Sequence, residues 1–148
     1  MSVRATTAVA VAVALLHAEA SIAKAPPGRY TLDADTAQDI VTGLRWQRAT
    51  PAGKLDAAGA KAYCQGLSLG GYSTGWRLPN LRELVSLVDR RATIPAIDAT
   101  AFPGTKSDMY WSATPHAAKQ GLMWGLAFNH GDSYFQQPDY PAWVRCVR

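Results

Sequence analysis

Few residues in this chain could do chemistry. Its three histidines are His17, His116 and His130, and its thiols are Cys64 and Cys146. His17 lies in a leader expected to be removed, and the other two fall in a predicted loop and a predicted turn. So sparse a set makes no Ser-His-Asp order, no glycosidase-like carboxylate pair and no metal cluster. Asp33, Asp35 and Asp39 resemble the start of a calcium loop, but Gln38 stands where that loop needs glycine and Leu44 where it needs a bidentate acid. Turn and cap roles are expected for them. The aromatic residues are better ligand candidates. Trp111, Trp124, Tyr134, Tyr140 and Trp143 gather in the C-terminal third. Core positions are expected for the three tryptophans, while Tyr134, Tyr140 and Trp124 are ligand candidates, with Asn129, Asp132 and Gln136 near enough to hydrogen-bond sugar hydroxyls. A basic set of Arg82, Arg90, Arg91, Lys106 and Lys119 would instead suit an anionic polymer, with binding that weakens in salt.

The compartment sets the thiol chemistry. Arg4, the apolar run Ala8 to Leu16 and the small residues Ala18 and Ala20 read as a signal peptide over residues 1–23, cleaved after residue 20 or 23. The run is too short to span a bilayer, which takes roughly 20 residues, and no second such run follows, so the mature chain should carry no transmembrane anchor. Residues 24–29 form a Pro-rich linker. The remainder, residues 30–148, suits a single domain. Removing the leader takes Arg4 and Glu19 and leaves the formal charge at +4. An excess this small calls for no nucleic-acid partner. In an oxidising compartment Cys64 and Cys146 most simply pair with each other; a reactive or metal-binding thiol pair is the alternative. A bridge would close a loop of about 80 residues, worth roughly 4 kcal/mol in loop-closure entropy.

Asp39 to Trp46 reads as a turn at Thr42-Gly43 followed by a half-buried strand holding Leu44 and Trp46. Asp56 should cap a first helix with Ala60, Tyr63, Cys64 and Leu67 on one face, ending at Gly70-Gly71. A second helix begins at Asn80, where Glu83 makes a capping box and Leu81, Leu84, Val85 and Val88 form an apolar stripe. Pro79 keeps Leu78 extended before it. Trp76 and Leu78 should anchor this approach, with Arg77 partly buried and bonded to carbonyls or to a carboxylate. Residues 94–105 form a Pro-punctuated loop burying Ile97 and Phe102. The period then becomes two: Tyr110 to Thr114, a hairpin of Trp124 to Phe128 and Ser133 to Gln136 about an Asn129-His-Gly-Asp132 turn, and a terminal strand from Trp143 to Arg148. The class is α+β.

TGLRWQ (42–47), AYCQGLSLGGY (62–72), WRLPNLREL (76–84), PAID (95–98), FPGT (102–105), YWSAT (110–114) and VRCVR (144–148) together resemble the Lcl C-terminal domain family of exported bacterial proteins. The likeness covers about residues 30–148. It implies a C-type-lectin-like fold, distantly similar to formylglycine-generating, sulfatase-modifying enzymes: two helices flank short irregular antiparallel sheets, and Cys64 is tied to Cys146. With both thiols in that bridge, none remains for formylglycine-type chemistry. Gln137-Pro138-Asp139 matches the calcium-ligating triplet of galactose-selective lectins. However, it lies seven residues before Cys146, and Ala142-Trp-Val-Arg145 replaces the expected Trp-Asn-Asp. One Asp and one Gln cannot supply the roughly six to eight oxygens that calcium takes. The resulting expectation is an exported, non-enzymatic module that binds a glycan or a protein at the cell envelope, periplasmic or secreted, without metal or cofactor. The alternatives are an envelope structural or assembly factor with no small ligand, and a divergent enzyme of the formylglycine-generating type.

Overall fold

The structure, a computed structural model, describes residues 27–148. The expected signal peptide and the first half of the linker lie outside the described residues. The fold has two antiparallel sheets of three strands each and two helices, both packed against the second sheet. The first holds β1 (Tyr30–Leu32), β2 (Thr36–Asp39) and β3 (Arg45–Gln47) in that order. Helices α1 (Ala57–Gln65) and α2 (Leu81–Ser86) follow. The second sheet holds β4 (Met109–Pro115), β5 (Met123–Ala127) and β6 (Asp132–Gln136), again in chain order. The α+β class is as expected, with β1 and β2 added to the strands read from the sequence.

Polar side chains shape the first sheet. Asp39 ends β2 and accepts from the amides of Val41 and Thr42 at 3.0 and 3.4 Å, while Arg29 holds its other oxygen at 2.6 Å. The turn closes through Gly43, whose φ of +74° suits glycine. Asp33 accepts from Thr36 and Arg45 at 3.1 and 2.8 Å. Asp33 and Asp39 therefore do turn and ion-pair work.

Both helix starts follow the local sequence. Asp56 caps α1 and accepts from Gly59 N, and Asn80 and Glu83 form the reciprocal capping box of α2. The helix ends differ from expectation. α1 stops at Gly66, whose amide bonds back to Ala62 O. Gly70 and Gly71, at φ +60° and +82°, instead make a separate two-residue turn that bridges Leu69 to Tyr72. A Cβ on Gly70 would sit 2.5 Å from Thr36 Cγ2, so helix continuation is not what those glycines serve. α2 has only six residues, and its stripe is Leu84 and Leu87, both buried. Val85 is 40% exposed, since it lies about 100° round the helix from the buried Leu84.

The interior divides in two. Trp46, Leu84, Leu87, Ile97, Phe102, Tyr110, Leu126 and Phe128 form one core; Ala60, Cys64, Trp76, Leu78, Met109 and Trp111 belong to the other. The closing segment separates them. Ala142, Val144 and Cys146 enter the second core, whereas Trp143 packs against the first and Val147 lies within it. That is the period of a strand buried on both faces. Its backbone is nonetheless not one regular strand, as the alternation had suggested. Trp143 bonds to β4 through Trp111 N and Met109 O, while Cys146 O accepts from Gln47 N, and Arg148 exchanges two bonds with Arg45. The segment thus changes partner from the second sheet to the first, which interrupts regular pairing. Cys64 is joined to Cys146 by the expected disulfide, closing 82 residues, and no free cysteine remains among the described residues.

Candidate functional site

The β5–β6 hairpin carries the aromatic surface. In its register Trp124 lies opposite Phe135, Gly125 opposite Tyr134 and Met123 opposite Gln136. Opposed residues share a face and neighbours alternate. Trp124 and Phe135 therefore point one way, whereas Asp132, Tyr134 and Gln136 point the other. The Trp124 and Phe135 rings meet edge to face, with centroids 5.4 Å apart and planes at 87°.

A third ring joins them. The β4–β5 pairing shifts between Trp111 and Pro115, which redirects the chain at the end of β4. His116, next along, donates its amide to Leu122 O at 2.8 Å. Its Nδ1 accepts from the amides of Ala118 and Lys119 at 3.2 and 3.1 Å. With Nδ1 accepting, Nε2 is the ring nitrogen left to donate. The ring so held stacks on Trp124 at 4.9 Å and 12°, and stands edge-on to Phe135 at 4.7 Å. Lys119 Nζ lies 4.2 Å from the Phe135 centroid, a cation–π contact. His116, Trp124 and Phe135 are each half-buried and Lys119 is exposed. The arrangement is a rigid, partly open aromatic platform with one cation and an imidazole N–H donor at its rim.

The sequence candidates are dispersed by this geometry. Of the six proposed glycan contacts only Trp124 is in the platform. Asp132, Tyr134 and Gln136 occupy the opposite face of β6. Asn129 sits in the turn, its Oδ1 accepting from His130 N at 2.7 Å, about 15 Å along the strand from Trp124. Tyr140, 37% exposed, belongs to the loop after β6, where its amide bonds to Gln137 O. The Gln137-Pro138-Asp139 triplet is exposed, and Pro138 O accepts from Ala57 N at 2.8 Å, docking the loop on the start of α1. Among the described residues no group of three or more His, Cys, Asp or Glu side chains converges.

The basic set is divided as well. Arg82 is exposed on α2. Arg90 lines a cleft of about 330 Å³ with Thr93, Ile94, Asn129 and His130, and Arg91 bonds to Asp89. Lys106 instead flanks Trp143 together with Lys54, and Lys119 is in the platform.

At the start of α2, Trp76 is buried and donates to Tyr72 O, and buried Pro79 accepts from Ala113 N at 2.7 Å. Arg77 has the carboxylate partner expected of it, but is less buried than expected. It pairs bidentately with Glu83 at 2.8 and 2.7 Å, yet its side chain is 47% exposed. The Arg77 guanidinium holds the Glu83 carboxyl below its ordinary value, and the pair raises Arg77 in turn. The fully buried arginine is Arg145, in the closing VRCVR. It donates to Gln47 O, Arg48 O and Thr105 Oγ1, each at 2.8 Å, and to Thr50 Oγ1 at 3.2 Å, with the Phe102 ring 4.7 Å away.

The sequence profile of the Lcl C-terminal domain matches residues 35–148. The chain belongs to this family. No curated protein matches it in sequence. The Lcl C-terminal domain here begins within the β1–β2 turn and so takes in both cores, the disulfide and the platform. Two of its platform residues escaped the sequence reading. His116 looked like an exposed loop residue, and Phe135 drew no notice; a period of two puts Phe135 beside Trp124 only once the hairpin register is known.

Proposed function

We propose that this Lcl C-terminal domain is an exported, C-type-lectin-like, non-enzymatic binding module that holds a glycan at the bacterial cell envelope on the His116–Trp124–Phe135 platform. The observation that carries this reading is Trp124. It is half-buried, with a parallel imidazole stacked on it and a phenyl ring set edge to face with it. A flat, preordered aromatic face stacks on the apolar face of a sugar ring at little entropic cost, and His116 Nε2–H with Lys119 supplies donors for its hydroxyls. Both thiols are spent in the disulfide, and His116 Nδ1 is engaged by backbone amides, which supports a binding rather than a catalytic role. The leader at residues 1–23 supports export.

A glycan array probed with the disulfide-bonded protein tests this, with and without calcium and at two salt concentrations. Calcium-independent retention that falls at least about fivefold in Trp124→Ala is expected, since stacking is worth about 1–3 kcal/mol in the comparable base–aromatic case. Retention untouched by that substitution overturns the platform. A second reading, an envelope assembly factor without a small ligand, draws on Ile40 and Val41. They stand 62% and 74% exposed on the Asp39-braced turn, where a protein partner would cover them. A blank array favours it.

A further inference from the structure

We propose a second ligand site, independent of the glycan reading: the groove between α1 and the β4–β5 sheet takes an amphipathic monocarboxylate. The groove has a volume of about 300 Å³. Its floor is apolar, built from Leu78, Ala113 and Met123, and its lips carry Lys61 and Gln65 on α1 and Arg77 opposite. Lys61 and Gln65 are four residues apart on one helix face, so both overhang the same side.

The charge on these lips decides the ligand. Glu83 is the acid nearest to Arg77, and its oxygens are already committed to both terminal nitrogens of that arginine and to Asn80 N. The ion pair cancels its own charge while fixing the guanidinium plane, and it leaves about three of the five N–H donors of Arg77 for a ligand. Lys61 is exposed and has no partner among the described residues. The groove therefore presents one uncompensated positive charge and an oriented donor fork above an apolar floor. No carboxylate lines it among the described residues. One carboxylate between Lys61 and Arg77 meets both requirements, with an aliphatic or aromatic tail lying on Leu78 and on Met123, whose flexible thioether adapts to shape. A cation meets Lys61 and is repelled; a neutral alcohol keeps only the apolar contact.

The test is a nitrogen–proton correlation titration of the disulfide-bonded protein with hexanoate, hexan-1-ol and hexylammonium at equal ionic strength. Hexanoate is expected to move the amides of Lys61, Leu78, Ala113 and Met123 saturably. Hexan-1-ol should do so about tenfold more weakly, and hexylammonium not at all. Lys61→Met, on an exposed side chain, should weaken hexanoate about tenfold with the rest of the spectrum in place, as loss of a charge-assisted bond predicts. Trp124→Ala should leave hexanoate binding unchanged, so this site and the platform stand or fall separately. Equal affinity for hexanoate and hexan-1-ol, an unaffected Lys61→Met, or shifts confined to other residues would overturn the assignment.

Discussion

Arg77 and Arg145 sit on neighbouring segments, since Arg77 and Val147 exchange two backbone hydrogen bonds of 2.9 Å, yet the two guanidiniums have opposite surroundings. Arg77 has a carboxylate partner and stays half in water. Arg145 has no carboxylate among the described residues and is completely buried. The difference shows what permits burial here. The Arg77–Glu83 pair stays at the surface, where the guanidinium keeps part of its hydration, whereas the carboxylate of the more deeply buried Arg29–Asp39 pair also accepts from the amides of Val41 and Thr42. Arg145 is accommodated by carbonyl and hydroxyl acceptors on two stretches of chain, residues 47–50 and Thr105, and by the faces of Phe102 and Tyr110. Burial lowers its pKa, with the Tyr110 hydroxyl acting in the opposite sense, and an arginine stays protonated regardless.

The contrast can be broken most severely at the tether that keeps Arg145 inside. Replacing both Cys64 and Cys146 with alanine should cost about 4 kcal/mol by loop closure, read as a lower urea midpoint; an unchanged midpoint would mean that the closing segment is held without the bridge. Arg145→Met is the next test. It fills the volume but strands Gln47 O, Arg48 O and Thr105 Oγ1, for an expected loss of about 3 kcal/mol. A variant as stable as the wild type would show that these bonds do no more than cancel the desolvation of the charge.

Arg77→Ala should cost much less, about 0.5–1 kcal/mol at neutral pH given its exposure, and its signature is the pH profile. Glu83 has its folded pKa lowered, chiefly by the bond from Arg77. The stability it contributes is complete above its unfolded value of 4.5 and is lost as pH falls through the lower folded value. Melting temperatures measured from pH 7 to pH 3 should therefore fall more steeply below about pH 4.5 for the wild type than for Arg77→Ala; parallel curves would sink the coupling. Arg82→Ala, on an exposed side chain of the same helix, should stay within about 0.5 kcal/mol of the wild type. A larger loss would place Arg82 in a contact of its own.

The same contrast separates what could be read from the chain. The α2 cap was legible because Asn80 and Glu83 find each other across one helical turn, and Asp56 caps α1 in the same local way. The hairpin about Asn129 to Asp132 was legible from alternation and turn chemistry. The end of α1 was misread because two glycine signals compete, Gly66 and Gly70-Gly71, and only the position of Thr36 shows that the second pair serves a turn. The candidate site was half visible. Trp124 announced itself, but its neighbours depend on a strand register and on a pairing shift after Trp111 that carries His116 onto the indole.

From sequence alone, then, came the α+β class, the family resemblance, the cysteine pairing, the capped helix starts and the aromatic-rich C-terminal third, because each rests on short-range hydrogen bonds, side-chain periodicity or motif order. Tertiary structure alone decided which arginine is buried, which face of β6 joins Trp124, and how the closing segment divides two cores. The acceptors of Arg145 approach from 40 to 98 residues away, the platform rests on a strand register that single residues do not reveal, and desolvation is settled by everything that surrounds a group rather than by its neighbours along the chain.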